Sequence, residues 1–271
     1  MAATLSIVIP AYNESARLGR SLETIYKYLN QAYPDSEVII VDDGSTDDTA
    51  KVAEASFKFA GKIRARLIGI KSNRGKGSAV RAGLLESTAP IVLFSDADLS
   101  TPISETPKLV AAIEQEGYDL VFGSRALDKS LIGVHQPWRR EQGGRVFNQM
   151  VRLATGLDFM DTQCGFKAFR MATCRPVIEA AVIDRFAFDV ELLYVAHLAG
   201  LRLSEIPVRW DHNDGSKVNV LRDSWRMFLE VQRIRARKGR YLETINSISA
   251  SASQQQRGSR ATSKLSSNRA S

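Results

Sequence analysis

Short apolar runs alternate along the first half of the chain with longer stretches in which apolar residues recur at helical spacing. The short runs are rich in Val, Ile and Leu, as is typical of buried parallel strands, and the longer stretches are typical of the helices that cover them. The predicted strands are Leu5–Ile9, Glu37–Val41, Arg66–Ile70, Ile91–Ser95 and Leu120–Gly123. The predicted helices are Glu14–Asn30, Asp47–Phe57, Gly77–Ser87 and Ser104–Glu116. This alternation predicts an α/β fold with a Rossmann-like, mostly parallel sheet and helices on both faces.

The pattern changes after the fifth predicted strand. The stretch Gly133–Gly144 is rich in Gly and Arg, and we predict a loop there that leads into a helix through Asn148 and Leu153. Further along, the pattern predicts a strand at Phe166–Arg170, a helix at Asp189–Ala199 and a strand at Arg202–Val208.

The last predicted helix, Val218–Arg240, is amphipathic. One side carries Val220, Leu221, Trp225, Phe228 and Val231, and the other carries Arg222, Arg226, Glu230, Arg233 and Arg237. Such a helix either packs on the protein body or lies on an anionic membrane, and the sequence leaves both open. Beyond Ile245 the chain is rich in Ser, Gln and Arg, so we expect disorder there. The expected division is a folded domain at residues 1–216, a basic helix at 217–244 and a tail at 245–271.

The composition is that of an ordinary soluble globular protein. The chain has 271 residues, of which 44% are hydrophobic and 25% charged, which argues against collagen-like, wholly disordered and disulfide-scaffold classes. Its two cysteines, Cys164 and Cys174, have no metal-ligand spacing, so we expect a reducing compartment. No apolar run is long enough to span a membrane, and a strand pattern begins close to the N-terminus, so we expect neither a spanning helix nor a signal peptide.

The basic charge is concentrated at one end of the chain. The formal net charge is +7, which is compatible with nucleic acid, an anionic membrane or a phosphorylated ligand. Residues 1–216 contain 25 Lys and Arg against 27 Asp and Glu, whereas residues 217–271 contain 12 against 3. No recognition helix or aromatic-interleaved basic sheet accompanies this charge, so we expect contact with a membrane surface and not with nucleic acid.

Acidic residues follow several predicted strands. The first strand leads to Glu14, the second to Asp42 and Asp43, and the fourth to Asp96 and Asp98. In open α/β sheets, ligands bind at these carboxyl ends, and converging carboxylates repel one another unless a cation or a donor is present. The side chains of Asp96 and Asp98, two residues apart after the fourth strand, point in one direction, which suits a hard cation that also binds ligand phosphates. Asp43, which is followed by Gly44 and Ser45 after the second strand, is equally typical of a turn.

Eight motifs together resemble a known family. They are IVIPAYNE at residues 7–14, VIIVDDGSTD at 38–47, NRGKGSA at 73–79, FSDADLST at 94–101, GSR at 123–125, DTQCGFKAF at 161–169, RFAFDVELLY at 185–194 and IPVRWDHNDGSK at 206–217. The segment NRGKGSA fits neither the dinucleotide-binding nor the P-loop glycine pattern. The set is similar to the inverting family 2 glycosyltransferases of GT-A fold, in the branch that loads sugars onto polyprenyl phosphates, and most similar to dolichyl-phosphate glucosyltransferases.

The resemblance implies a set of residues that bind a nucleotide sugar. The residues it points to are Pro10, Ala11, Tyr12, Glu14, Asp42, Asn73, Lys76 and Asp96. It further implies that Asp96 and Asp98, as a D-x-D motif, bind Mg²⁺ or Mn²⁺, which bridges the diphosphate of the donor. One departure concerns Ser100, since some phosphomannose synthases carry a Gln metal ligand at that position; metal preference therefore stays open.

The resemblance also implies how the acceptor is handled. Asp161 is the candidate base or orienting group, with a turn or helix-cap acid as the alternative. Arg125, the pair Arg139 and Arg140, and Lys217 are the candidate cations for the acceptor phosphate, since Arg and Lys bind phosphate oxygens. We expect the catalytic set to comprise Asp161, Asp98, Arg125 and Lys217.

The expected activity is metal-dependent transfer of a hexose, glucose from UDP-glucose first, to a polyprenyl or dolichyl phosphate, with inversion. The alternatives are a GDP-mannose-dependent mannosyltransferase, a haloacid-dehalogenase-like phosphohydrolase based on Asp96 and Asp98, and a catalytically silent nucleotide-sugar-binding module. We expect a cytoplasmic protein that is peripheral on the cytoplasmic face of a membrane through its basic helix. Whether a separate integral membrane partner presents the lipid stays open.

Overall fold

The computed structural model describes residues 3–134, 138–212 and 229–248, with only the backbone for residues 138–141. Its strands are β1 (Leu5–Ala11), β2 (Glu37–Asp42), β3 (Arg64–Gly69), β4 (Ile91–Ser95), β5 (Leu120–Ser124), β6 (Ile132–Val134), β7 (Phe166–Arg170), β8 (Leu203–Pro207) and β9 (Trp210–Asp211). Its helices are α1 (Leu18–Ala32), α2 (Thr49–Ser56), α3 (Lys76–Glu86), α4 (Thr106–Glu114), α5 (Trp138–Thr155), α6 (Met171–Ala180) and α7 (Phe188–Leu198). Residues 229–236 and 238–248 are also helical.

Seven strands form one sheet in the order β3-β2-β1-β4-β7-β5-β8. The strands from β3 to β4 are parallel, and β8 is parallel to β5. Strand β7 runs antiparallel to both of its neighbours, β4 and β5. The predicted α/β architecture is therefore confirmed, with one antiparallel strand inserted at the centre of the sheet.

Helices cover both faces because the central strands are apolar on both sides. Along β1, Val8 belongs to the core on one face, and Ile7 and Ile9 belong to the core on the other. Helices α3, α5, α6 and α7 pack on the first face, and α1, α2 and α4 pack on the second. Alternate side chains of one strand point to opposite faces, so a strand buried on both sides reads as a continuous apolar run.

The prediction of a loop at Gly133–Gly144 is wrong at both ends. Gly133 lies in β6, which pairs with β9, and α5 already begins at Trp138. The short strand depends on a partner far away in the sequence, which no local pattern reveals. Helix α6 was not predicted; it begins directly after β7 and contains Pro176, which obscures its helical pattern.

The described part of the C-terminal helix packs on the protein body. Val231, Ile234, Tyr241 and Ile245 are at most 9% exposed and belong to the same core as α7. The predicted residues 218–228 of this helix, and the tail after residue 248, lie outside the described residues. Within the described ranges, no helix has the length and apolar character needed to cross a bilayer.

Candidate active site

A cavity of about 480 Å³ opens at the carboxyl end of the parallel strands. The turns after β1 and β4 and the loop that leads into α3 supply most of its wall. Most of the residues predicted to bind a nucleotide sugar lie in this wall, namely Pro10, Ala11, Tyr12, Glu14, Asn73, Lys76 and Asp96, together with Asp98. Parallel strands bring their carboxyl ends to one edge, so residues far apart in the sequence meet there.

Asp42 is the last residue of β2, and of the adjacent acids Asp42 and Asp43 it is Asp43 that lines the cavity. Asp42 is 8% exposed, and its carboxylate accepts hydrogen bonds from the backbone N–H and the hydroxyl of Ser45. The Asp43 carboxylate accepts from the backbone N–H groups of Arg74 (3.0 Å) and Gly75 (2.7 Å). Asp42 therefore forms a turn with Ser45, and its neighbour orders the loop before α3. Asp42 as a residue that binds the nucleotide sugar stays a prediction.

The loop before α3 brings a cation to the cavity floor. Gly75 has a φ of 121°, and a Cβ at this position would lie 2.4 Å from the carbonyl oxygen of Asp184, so a side chain is excluded here. The next residue, Lys76, places its Nζ 2.5 Å from Oδ1 of Asp96. Burial lowers the pKa of Lys76, but the carboxylates of Asp96 and Asp189 raise it, and the net pKa is above its ordinary value. Lys76 therefore remains a cation at neutral pH.

The D-x-D pair lies on the tight turn after β4. A Cβ on Gly165 would lie 2.0 Å from Oδ2 of Asp96, so this carboxylate rests directly on a glycine backbone. Asp98 accepts a hydrogen bond from the backbone N–H of Ser100 (3.0 Å), and Leu99 between them has a left-handed φ of 51°. Across the described residues, no group of three or more His, Cys, Asp or Glu side chains is arranged to hold a metal. Any metal here would have two carboxylates from the protein and the remaining ligands from elsewhere.

Asp161 forms a bidentate pair with Arg125. Its carboxylate accepts from Nε (2.6 Å), Nη2 (2.7 Å) and the backbone N–H (3.0 Å) of Arg125. The Glu205 carboxylate fixes the same loop by accepting from the backbone N–H groups of Met160 (2.8 Å) and Asp161 (2.7 Å). Burial raises the pKa of Asp161, but the guanidinium of Arg125 lowers it by more than burial raises it. The net pKa of Asp161 is therefore below its ordinary value. Of the two predicted roles for Asp161, this geometry favours orientation of Arg125 over proton abstraction.

A buried ion pair lies beneath the site, and sequence reasoning missed it. Lys167 is 0% exposed, and its Nζ contacts Oδ1 of Asp189 and the carbonyl oxygen of Cys164, both at 2.6 Å. The ammonium also lies over the rings of Phe94 (5.7 Å) and Phe122 (5.9 Å). A signal was available, because a lysine in the middle of an otherwise buried strand requires a partner.

The wall of a second cavity, of about 740 Å³, includes Ala126 and Met160, the chain neighbours of Arg125 and Asp161. Its wall includes Lys129 and Arg145 together with two exposed apolar side chains, Leu153 (80% exposed) and Met160 (49%). Exposed apolar residues next to cations are suited to a ligand with an anionic head and an apolar body.

Several residues predicted to contact the acceptor phosphate lie outside the part of the chain that the structure describes. Lys217 lies outside the described residues, and so do the side chains of Arg139 and Arg140. Arg125 is the predicted cation whose surroundings are known, and its guanidinium also lies over the ring of Trp210, at 5.5 Å from the centroid.

The fold and the cavity together define an α/β protein with a ligand-sized cavity at the carboxyl edge of its sheet. The sequence pattern of the family described as Glycosyl transferase family 2 matches residues 6–176. The chain belongs to this family and is a glycosyltransferase, which confirms the resemblance carried by its motifs.

Two relatives are named dolichyl-phosphate beta-glucosyltransferase. The one from Dictyostelium discoideum is 36% identical over 245 residues, which cover 86% of this chain and 74% of the relative. The one from Drosophila melanogaster is 39% identical over 227 residues, covering 79% and 69%. A solved structure of similar fold is glucosyl-3-phosphoglycerate synthase from Mycobacterium tuberculosis in complex with Mn²⁺, UDP-glucose and phosphoglyceric acid. Its TM-score is 0.61 at 22% identity, over 88% of this chain and 80% of the synthase.

Proposed function

We propose that this protein transfers glucose from UDP-glucose to the phosphate of dolichol or a related polyprenol, with inversion at the anomeric carbon. The observation that carries the proposal is the cavity in which Asp96, Asp98 and Lys76 meet at the edge of the sheet. The names of the relatives, at 36% and 39% identity, support glucose as the sugar and dolichyl phosphate as the acceptor.

The donor binds in the first cavity, where Tyr12, Asp43 and Asn73 surround the nucleoside and Lys76 lies along the diphosphate. The carboxylates of Asp96 and Asp98 are hard oxygen ligands of the kind that Mg²⁺ and Mn²⁺ prefer, so these two residues would hold the metal. When bound, it would help to offset the charge of the nucleoside diphosphate leaving group. The solved complex of the mycobacterial synthase contains Mn²⁺ with UDP-glucose, which is consistent with this assignment.

The acceptor phosphate enters from the side of the second cavity. A phosphate monoester has a second pKa of about 6, so its oxygen is already anionic near neutral pH and needs no strong base. Its oxygen attacks the anomeric carbon as the bond from that carbon to the donor diphosphate breaks. Asp161 orients Arg125, whose guanidinium binds the phosphate, and Arg139, Arg140 and Lys217 are proposed as further phosphate contacts. Leu153 and Met160 then contact the polyprenyl chain.

The protein acts at a membrane surface, where its lipid substrate lies. The C-terminal helical segment, residues 229–248, exposes Arg233, Arg235, Lys238 and Arg240 while its apolar side packs on the body. Cations near an anionic leaflet each contribute about 1 kcal/mol to binding. We therefore propose peripheral association through this basic side.

The proposal is tested by incubating the 271-residue chain with UDP-glucose, dolichyl phosphate and Mn²⁺ and measuring dolichyl-phosphate glucose. A charge pair at 4 Å contributes about 4 kcal/mol at an effective dielectric of about 20, so Asp96→Asn should lower kcat/KM by about a thousandfold. The matched control is Asp48→Asn, an exposed carboxylate paired with Lys51 on the surface. Near-normal turnover by the folded Asp96→Asn variant would exclude the metal role, and a preference for GDP-mannose would exclude the glucosyl assignment.

A further inference from the structure

One buried carboxylate, Glu191 in the first turn of α7, bridges two separate parts of the chain. It is 0% exposed. Its Oε1 accepts from the hydroxyl of Tyr241 (2.5 Å) and from the backbone N–H of Val182 (3.0 Å), and its Oε2 accepts from the backbone N–H of Ile183 (2.8 Å). Tyr241 belongs to the C-terminal helical segment and is itself 2% exposed. The carboxylate thus connects that segment to the connection between α6 and α7.

The connection between α6 and α7, residues 181–187, forms part of the donor cavity. Arg185 and Phe186 lie in the cavity wall. The carbonyl oxygen of Asp184 accepts from the backbone N–H of Ser78 (3.1 Å), and its carboxylate pairs with Arg74 (3.3 Å) and Arg81 (2.5 Å). These contacts fix the connection against the loop before α3 and against the first turns of α3, which begins at Lys76.

The approach between these two segments is unusually close. A Cβ at Gly75 would lie 2.4 Å from the carbonyl oxygen of Asp184, and a Cβ at Gly77 would lie 2.4 Å from that of Ile183. Backbone lies against backbone, so a shift of residues 182–184 must also move the loop before α3. Close-packed interiors transmit such shifts, because there is no void to absorb them.

We propose that Tyr241 is a positioning residue for the donor site, holding residues 182–186 against the loop before α3 through Glu191. The inference rests on the proposed function in one respect, namely that the ligand of this cavity is a nucleotide sugar. It assigns to the C-terminal helical segment a role in donor binding, although none of its residues lines the cavity as described.

The physical reason is the cost of an unsatisfied buried carboxylate. Glu191 has three donors, and without the tyrosine hydroxyl it must either stay short of one donor or move to find another. Any such movement takes with it Val182 and Ile183, which bond to the same two oxygens. Small displacements of positioning groups reduce binding and rate without removing any contact to the ligand.

The test uses Tyr241→Phe in the full chain, which keeps the ring and removes only the hydroxyl. Tyr26→Phe is the matched control, because Tyr26 is also fully buried but lies in the core on the other face of the sheet. UDP binding is measured by titration calorimetry, KM is measured separately for UDP-glucose and dolichyl phosphate, and unfolding is followed by heat. We expect Tyr241→Phe to weaken UDP binding about three- to tenfold and to raise the KM for UDP-glucose by the same factor. The KM for dolichyl phosphate should not change.

A second variant examines the carboxylate itself. Glu191→Gln directs an amide N–H₂ at one of its present donors, so we expect weaker UDP binding than in Tyr241→Phe. Adding Tyr241→Phe to Glu191→Gln should then have a smaller effect than in the unsubstituted protein, because the two groups act through one contact.

The outcomes separate the two proposals. Unchanged UDP affinity in Tyr241→Phe, or an equal loss in Tyr26→Phe, overturns the positioning role and leaves the proposed function intact. A parallel rise in both KM values indicates general loosening of the structure and also overturns it. Absence of UDP binding by the unsubstituted protein overturns the proposed function, and the positioning role with it.

Discussion

Buried and half-buried charges of opposite sign pair with one another around the site. Asp96 pairs with Lys76, Asp189 with Lys167, and Asp161 with Arg125. A charge removed from water is stable only when it is paired and hydrogen-bonded, so each member depends on its partner. The pairs hold the turn after β4, the Asp161 loop and helix α7 in one arrangement.

The pair under the site gives a prediction for stability. Lys167→Met should lower the free energy of unfolding by about 3–5 kcal/mol, because Asp189 and the carbonyl oxygen of Cys164 lose their common donor. Removing both charges, as in Lys167→Met with Asp189→Leu, should recover part of this loss. The measurement is urea unfolding.

The control for this pair is Lys51→Met, whose salt bridge with Asp48 is exposed and should contribute at most about 1 kcal/mol. If Lys167→Met unfolds at the same urea concentration as the control, the buried pair does not stabilise the fold.

At the level of elements, helix α3 is set unusually close to the sheet. A Cβ at Gly83 would lie 2.4 Å from Cγ1 of Val8 and 3.0 Å from Cγ2 of Val41, and both valines are fully buried. The first residue of α3 is Lys76, so the depth at which this helix packs also determines where its cation lies. A glycine on the sheet-facing side of α3 thus contributes to the geometry of the cavity.

Gly83→Ala should therefore destabilise the protein by about 1–3 kcal/mol through overpacking, and should raise the KM for the donor as α3 moves outward. Gly144→Ala is the matched control, since Gly144 is also helical and nothing lies within 4 Å of an added Cβ. That change should stabilise the protein by about 0.5–1 kcal/mol. Thermal unfolding of both variants measures the two changes in stability. A Gly83→Ala variant as stable as Gly144→Ala would contradict the close packing of α3 on the sheet.

For the whole molecule, the asymmetry of charge has a structural counterpart. The C-terminal helical segment lies on the same face of the sheet as α7, whereas α1 and α2 lie on the opposite face. Its exposed arginines and lysine therefore form a basic surface on one side of a body whose residues 1–216 are nearly balanced in charge. Such a surface orients a protein toward an anionic leaflet.

We expect binding to vesicles that contain an anionic phospholipid, decreasing as salt rises, with no comparable binding to duplex DNA. Replacing Arg233 and Arg240 by Glu should weaken vesicle binding at least about tenfold. The matched control reverses Lys27 and Lys51, which changes the net charge equally but lies on α1 and α2. Co-sedimentation with vesicles distinguishes the two, and equal loss in both variants would show that net charge alone is responsible.

The predictable part of this fold follows from local periodicity. The five early strands and the four helices between them lie where the apolar pattern predicts, with ends shifted by a few residues, because burial on one or both faces leaves a direct signal in the sequence. Strands β6 and β9 left no such signal, since they are short and depend on each other. The antiparallel direction of β7 is equally invisible, because the pattern of five residues in a strand does not indicate the direction in which it pairs.

The α/β class, the family and most of the residues that gather at the sheet edge can be derived from the sequence alone, because these depend on residue type and spacing. Only the tertiary structure shows that Asp43 binds the loop before α3, that Asp161 binds Arg125, and that Lys167 pairs with Asp189. It also decided that residues 229–248 pack on the body through Tyr241 and Glu191. Each of these depends on which side chains meet across distant segments, and such meetings are set by three-dimensional packing and by the need to pair every buried charge.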